Sequence, residues 1–225
     1  MPRPAVIVFD VNETLSDLSP MADRFAELGL PGQTAQVWFA SLLRDGFGRT
    51  AAGSSPPFAA VSEGVLRTIF AATPPDRDVD AAIEHVMTGF TSLSVHDDVA
   101  PGIRALRDAG FRLATLSVGA AVVAERLLER AGIRDAFEAV LTAADAPAWK
   151  PAAPAYGYAA EQLGVVVPHD LLLVAVHPWD IDGATRAGLR TAWITRGGGP
   201  YPAVMSGPTH TVRAVTELAP LLAGG

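Results

Sequence analysis

The sequence predicts an α/β fold with a parallel sheet, on three observations. Short apolar runs recur along the chain, helical patterns alternate with them, and each later helical pattern is followed by glycine. The first run is Ala5-Val6-Ile7-Val8-Phe9, rich in β-branched residues and ending at Asp10. Phe111 to Leu116, Ala139 to Thr142, Leu171 to Val176 and Thr191 to Thr195 have the same character. Continuous apolar runs of this length suit strands buried on both faces. The helical patterns are Val99 to Ala109, Ala120 to Ala131, Ala153 to Leu163 and Asp180 to Ala187. Gly110, Gly132, Gly164 and Gly188 follow them, and glycine accepts the left-handed backbone that ends a helix.

The stretch from Ser16 to Leu93 differs, because it holds no convincing strand. Ser19-Pro20 suits an N-cap and a first-turn proline, opening a helix that stops at Gly29. Gln33 to Asp45 forms a second helical pattern, and Val61 to Phe70 and Val79 to Phe90 form two more. Two loops, Ala51 to Pro57 and Thr73 to Asp78, each contain a Pro-Pro pair. The stretch therefore predicts a helical insertion after the first strand. Gly197 to Thr209 is rich in glycine and proline and predicts an irregular tail.

Composition narrows the function. Of 225 residues, 49% are hydrophobic, which supports a packed core and argues against disorder. Lys plus Arg total 17 and Asp plus Glu total 24, a net charge of −7 that argues against a nucleic-acid groove. With no cysteine, a thiol nucleophile, a disulfide scaffold and a Cys-type zinc site are excluded. Met1-Pro2-Arg3-Pro4 lacks the character of a signal peptide, and no apolar run reaches membrane-spanning length. A cytoplasmic protein without membrane contact is the expectation. Gly197-Gly198-Gly199 lacks the Lys-Ser/Thr of a phosphate loop, so no nucleotide cofactor is expected.

In a parallel sheet, the carboxyl ends of the strands form the binding crevice. Here those ends carry Asp10, Ser117, Lys150, His177 and Asp180. A carboxylate placed like Asp10 suits an N-cap, a metal ligand or a nucleophile that forms an ester or acyl-phosphate. Asp180 suits either a helix N-cap or an active-site carboxylate, and Ser117 either a helix cap or a site hydroxyl. His177 suits a proton shuttle or a structural histidine.

The motifs then identify a family. Phe9-Asp10-Val11-Asn12-Glu13-Thr14-Leu15 resembles the first motif of the haloacid dehalogenase (HAD) superfamily. Leu113 to Ser117 resembles the second, and Trp149-Lys150-Pro151 with Tyr156 the third. Leu172 to Asp180, followed by Gly183-Ala184, resembles the fourth, and the helical stretch lies where that superfamily inserts a cap. The resemblance implies a Rossmann-like core at 1–15 and 94–225, with a helical cap at 16–93.

Within the superfamily, the chain resembles the L-2-haloacid dehalogenase branch, which needs no metal. Trp179 and Asp180 match its fourth motif, and Lys150, Tyr156, Ser117, Thr14 and Trp193 to Arg196 also match. The implied substrate is a small carboxylic acid, and the branch is often dimeric. Asp10 would displace halide, and water would then hydrolyse the aspartyl ester with help from Asp180. Lys150 would keep the carboxylates ionised. Ser117 would hold the substrate carboxylate, and Trp179 would wall the pocket.

Several positions depart from that pattern. Asn12 stands where the branch has Tyr, Val118 and His177 where it has Asn, and Val176 where it has Ser. Glu13 occupies a place often held by Gly. The cap arginine that helps bind halide follows a Trp-Leu pair, but here Trp38-Phe39 precedes Ala40. Arg44, one helical turn on, is the expected substitute, and Asn12 could also donate to a halide. The alternatives are a magnesium-dependent phosphatase and a non-catalytic binding protein. The phosphatase branches carry a second aspartate where Asn12 stands, and an acidic residue where Val176 stands.

Overall fold

The computed structural model describes residues 3–196 and 198–224. The expectations at Met1-Pro2 and at Gly197 lie outside the described residues.

Strand β1 (Val6–Phe9) is followed by helices α1 (Met21–Ala26), α2 (Thr34–Ala51), α3 (Phe58–Ala72) and α4 (Val79–Thr91). Then come α5 (Val99–Asp108), β2 (Arg112–Ser117), α6 (Ala121–Arg130), β3 (Ala139–Thr142) and α7 (Ala153–Gln162). β4 (Leu171–Ala175), α8 (Pro178–Arg186), β5 (Arg190–Ile194), β6 (His210–Val212) and α9 (Leu218–Ala223) complete the order. The strands form one sheet in the order β3-β2-β1-β4-β5-β6, and every pairing is parallel. This is the doubly wound order, whose direction of winding reverses between β1 and β4. The crevice outside their carboxyl ends is where such sheets bind ligands, and it is there that Asp10 and His177 stand.

All four residues of β1 are at most 1% exposed, which explains its unbroken apolar run. Ile7 and Phe9 pack into the layer holding α5, while Val6 and Val8 pack into the layer holding α7 and α8. The glycines expected to end α5, α6, α7 and α8 all have positive φ, between 62° and 89°.

The helical segment packs around Trp38, Phe25, Phe58, Phe70 and Phe90. The ring of Trp38 meets Phe25, Phe39 and Phe90 at centroid distances of 5.7–6.1 Å. Its own core also includes Trp149, Ala155 and Val118 from the sheet side, so the two layers share one apolar interface.

Three details differ from the expectation. Helix α2 continues six residues past Asp45, through Gly46 and Gly48. Gly46 is not a stop: a Cβ there would lie 2.1 Å from the Trp149 ring, so the position serves close approach. At the start of α1, Ser19 does not cap the helix. Its backbone N–H and its hydroxyl both donate to Asp17. Residues 198–209 hold no helix or strand, as expected of the Gly- and Pro-rich tail, but a sixth strand that the sequence did not reveal, β6, follows them and pairs with β5 from Ala192↔His210 to Ile194↔Val212.

Candidate active site

Asp10 leaves β1 1% exposed, and the chain then turns sharply. Glu13 makes that turn with φ of 59°, the left-handed region that costs a non-glycine residue roughly 1–2 kcal/mol. The turn returns Thr14 to Asp10: its hydroxyl donates to Asp10 Oδ2 at 2.7 Å and accepts from Val176 N at 3.0 Å. Trp193 Nε1 donates to Val176 O at 2.8 Å, so the residue before His177 is held at both backbone groups. Arg196 straps the same turn, donating to Thr14 O at 2.8 Å and to Asp98 at 2.8 Å.

Lys150, fully buried, bridges the two carboxylates. Its ammonium donates to Asp10 Oδ1 at 2.8 Å and to Asp180 Oδ2 at 2.6 Å. Tyr156 donates to Asp180 Oδ1 at 2.7 Å. Gly183 makes room for this contact, because a Cβ there would lie 2.7 Å from the Tyr156 hydroxyl. Burial opposes the charge on Asp10, but Lys150 and His177 outweigh it and hold the carboxyl well below its usual range. Burial and the nearby Asp10 charge raise Asp180 despite Lys150. Lys150 is itself raised, its two carboxylates overcoming the cost of burial. Burial and Asp180 push Tyr156 well up, so it stays a neutral donor.

On the other side of Asp10, His177 Nδ1 approaches Oδ2 at 3.3 Å, and its Nε2 meets Glu13 Oε2 at 2.8 Å. Trp179 stacks on the imidazole at 4.9 Å, and Phe39 from α2 lies 6.4 Å away.

Two cavities border the turn that follows Asp10. The larger, about 600 Å³, is lined by His177, Glu13, Phe39, Ala40, Leu43 and Arg196, among others. The smaller, about 160 Å³, is lined by Asn12, Ser117, Val118, Gly119 and Phe58, among others. The Asn12 amide nitrogen is buried there without a partner among the described residues, a donor free for an anion. Ser117 Oγ accepts from Gly119 N at 2.9 Å, which leaves its proton free to donate.

The structure therefore brings Asp10, Lys150, Asp180, Asn12, Thr14, Ser117, Tyr156, His177 and Trp179 to one sheet edge. Thr14 and Tyr156, expected to touch substrate, are instead fully buried and spend their hydroxyls on Asp10 and Asp180. Arg44 is not part of the site. Its exposed guanidinium pairs with Asp45 at 2.8 Å, because Phe39, Ala40 and Leu43 occupy the pocket-facing side of α2. Glu13 and His96 belong to the site but carried no spacing signal in the sequence. His96 Nε2 lies 3.1 Å from Glu13 O and lines the larger cavity.

The residues do not fit magnesium. Asp180 uses one oxygen for Lys150 and the other for Tyr156, and Val176 offers no carboxylate. Asp182 turns away to Arg186 and to Ser206 N. A hard cation needs several oxygen ligands, and among the described residues no cluster supplies them.

Comparison with known proteins agrees with the geometry. The chain is 28% identical to (S)-2-haloacid dehalogenase 4A of Burkholderia cepacia, over 96% of this chain and 94% of the relative. It is 27% identical to haloacetate dehalogenase H-2 of Moraxella sp. (strain B), over 99% and 100%. A crystal structure of a dehalogenase with an intermediate complex superposes with a TM-score of 0.91 at 26% identity, covering 99% of each chain. The family model for haloacid dehalogenase-like hydrolases matches residues 4–188. With that match and this sheet edge, the chain belongs to the haloacid dehalogenase-like hydrolase family.

Proposed function

We propose that this hydrolase displaces halide from a short 2-haloalkanoic acid through an aspartyl-ester intermediate. The observation that carries the reading is the buried Asp10–Lys150–Asp180 chain, which keeps Asp10 ionised next to a turn whose residues Val11, Asn12 and Glu13 line two cavities. An Asp10 oxygen forms a bond to the carbon bearing halogen, and the halide leaves with the bonding electron pair. Water then adds to the Asp10 side-chain carbonyl and releases a 2-hydroxy acid. The substrate carboxylate is held by the free donors of Asn12 and Ser117 in the smaller cavity. The same reading places the enzyme in the cytoplasm and treats 16–93 as a cap on a core formed by 1–15 and 94–225.

The test is halide release from short 2-haloacids, fluoroacetate included, beside phosphate release from small phosphate esters with and without magnesium. Halide release that falls about a thousandfold or more in Asp10→Asn supports the proposal. Metal-stimulated phosphate release without halide release would replace it with the phosphatase reading. Tight binding of a small acid without any turnover would leave a binding protein.

A further inference from the structure

The hydrolytic half of the reaction needs a base that can reach both a water molecule and the Asp10 carbonyl. Asp180 is poorly placed for this. It is fully buried, and each oxygen already accepts a hydrogen bond, one from Lys150 and one from Tyr156. His177 is in the opposite situation. It contacts Asp10 through Nδ1, lines the larger cavity, and is fixed from behind by the Glu13 carboxylate on Nε2.

We propose that His177 is the base that deprotonates the hydrolytic water, and that Glu13 is its positioning residue. The inference rests on the aspartyl-ester reading above. Glu13 has paid for this place with a left-handed backbone, and its carboxylate fixes the tautomer in which Nε2 carries a proton and Nδ1 faces Asp10.

The charge balance times the step. Burial opposes the positive charge on the imidazole, yet hydrogen bonds to Asp10 and Glu13 raise its pKa to about 9. With that proton in place His177 pairs with Asp10 as a cation, and Nδ1 has no lone pair free to take a proton from water. Esterification neutralises Asp10 and removes one of the two charges that hold the proton. Glu13 remains, while Lys150 reaches only the far oxygen of Asp10. Arg196, Asp17 and His96 also line the larger cavity, and Trp179 and Phe39 are the rings against the imidazole. The imidazolium then loses its proton to solvent, and Nδ1 becomes an acceptor.

Water adds its oxygen to the Asp10 carbonyl carbon and gives a proton to Nδ1. The tetrahedral species collapses by breaking the bond to the alkoxy oxygen, which takes that proton and leaves as the 2-hydroxy acid. The carboxyl left on Asp10 then passes its proton to Nδ1. The resting ion pair returns, and the cycle has released one halide and one proton.

The test combines rapid-quench halide release from 2-chloropropionate with mass spectrometry of the intact protein. Wild-type protein is expected to turn over continuously. His177→Gln is expected to release about one halide per enzyme, retain the acid as an adduct on Asp10, and lose about a hundredfold or more in kcat. The burst itself shows that the variant is folded. Glu13→Gln is expected to keep turning over more slowly, with the acidic limb of its kcat–pH profile moved to lower pH. Repeated turnover by His177→Gln at the wild-type rate and without adduct overturns the proposal while leaving the ester reading intact, as does an unmoved limb in Glu13→Gln. Failure of the wild-type protein to release halide from any 2-haloacid overturns both.

Discussion

The loops after β1, β3 and β4 and the first turn of α8 supply Asp10, Lys150, His177 and Asp180 to the site, whereas α2 and α3 opposite them supply Phe39, Ala40, Leu43 and Phe58. One side is charged, with Asp10, Lys150 and Asp180 joined by hydrogen bonds, and the other is apolar. The difference assigns separate work to each. The sheet edge fixes the ionisation of Asp10 with buried partners, and the helices remove water, which strengthens those interactions. Among the described residues, the helical side brings no cation to the cavities, so the positive charge around Asp10 comes from Lys150 and His177 on the sheet side.

If the sheet edge carries the electrostatics, removing its central cation has the largest effect. Lys150→Met leaves two buried carboxylates facing each other and is expected to cost about 3–5 kcal/mol, with turnover lost. Urea denaturation measures this, and a loss below about 1 kcal/mol would show that the cluster is not electrostatically closed. The next variant probes the seam between the regions. Gly46→Ala improves helix propensity by roughly 1 kcal/mol but drives a methyl into the fully buried Trp149 ring. The clash is expected to win, lowering the melting temperature; an unchanged value would mean that α2 can slide on the sheet layer.

Acidity sharpens the comparison further. His177 is raised from 6.5 to about 9, so its stabilisation is fully present below about 6.5 and is lost as pH rises through about 9. Asp10 is depressed, so its contribution is present above its ordinary value and is lost as pH falls through the depressed one. The melting temperature is therefore expected to fall between pH 6.5 and 9, and His177→Gln should flatten that slope. The smallest effect belongs to the helical side. Arg44→Ala is expected to leave KM and melting temperature unchanged, since the side chain faces solvent and pairs with the neighbouring Asp45. A raised KM would place it at the pocket.

The sheet was legible because strands buried on both faces write their burial as unbroken apolar runs, and β3 runs from Ala139 to Thr142 as the pattern predicts. β6 was not legible, since its three residues are strand only through pairing with β5. The role of Gly46 was not legible either, since only the Trp149 ring reveals that this glycine inside α2 serves close approach. In the site, Asp10, Lys150 and Asp180 were found through their motifs. Glu13 and His96 were not, because their roles depend on a reversal of the backbone and on a neighbour 83 positions away. Arg44 was placed by helical spacing alone, which gives a turn but not the face of the helix that the apolar residues claim.

The central claim is that Asp10 is the nucleophile, and isotope labelling tests it most directly. The enzyme is incubated with a short 2-haloacid in H₂¹⁸O over many turnovers, and the peptide carrying Asp10 is then weighed and fragmented. The account predicts ¹⁸O in the Asp10 carboxylate, because water attacks the ester at its side-chain carbonyl. Label confined to the 2-hydroxy acid product, with none in Asp10, would mean that water displaces the halide directly and would contradict the account.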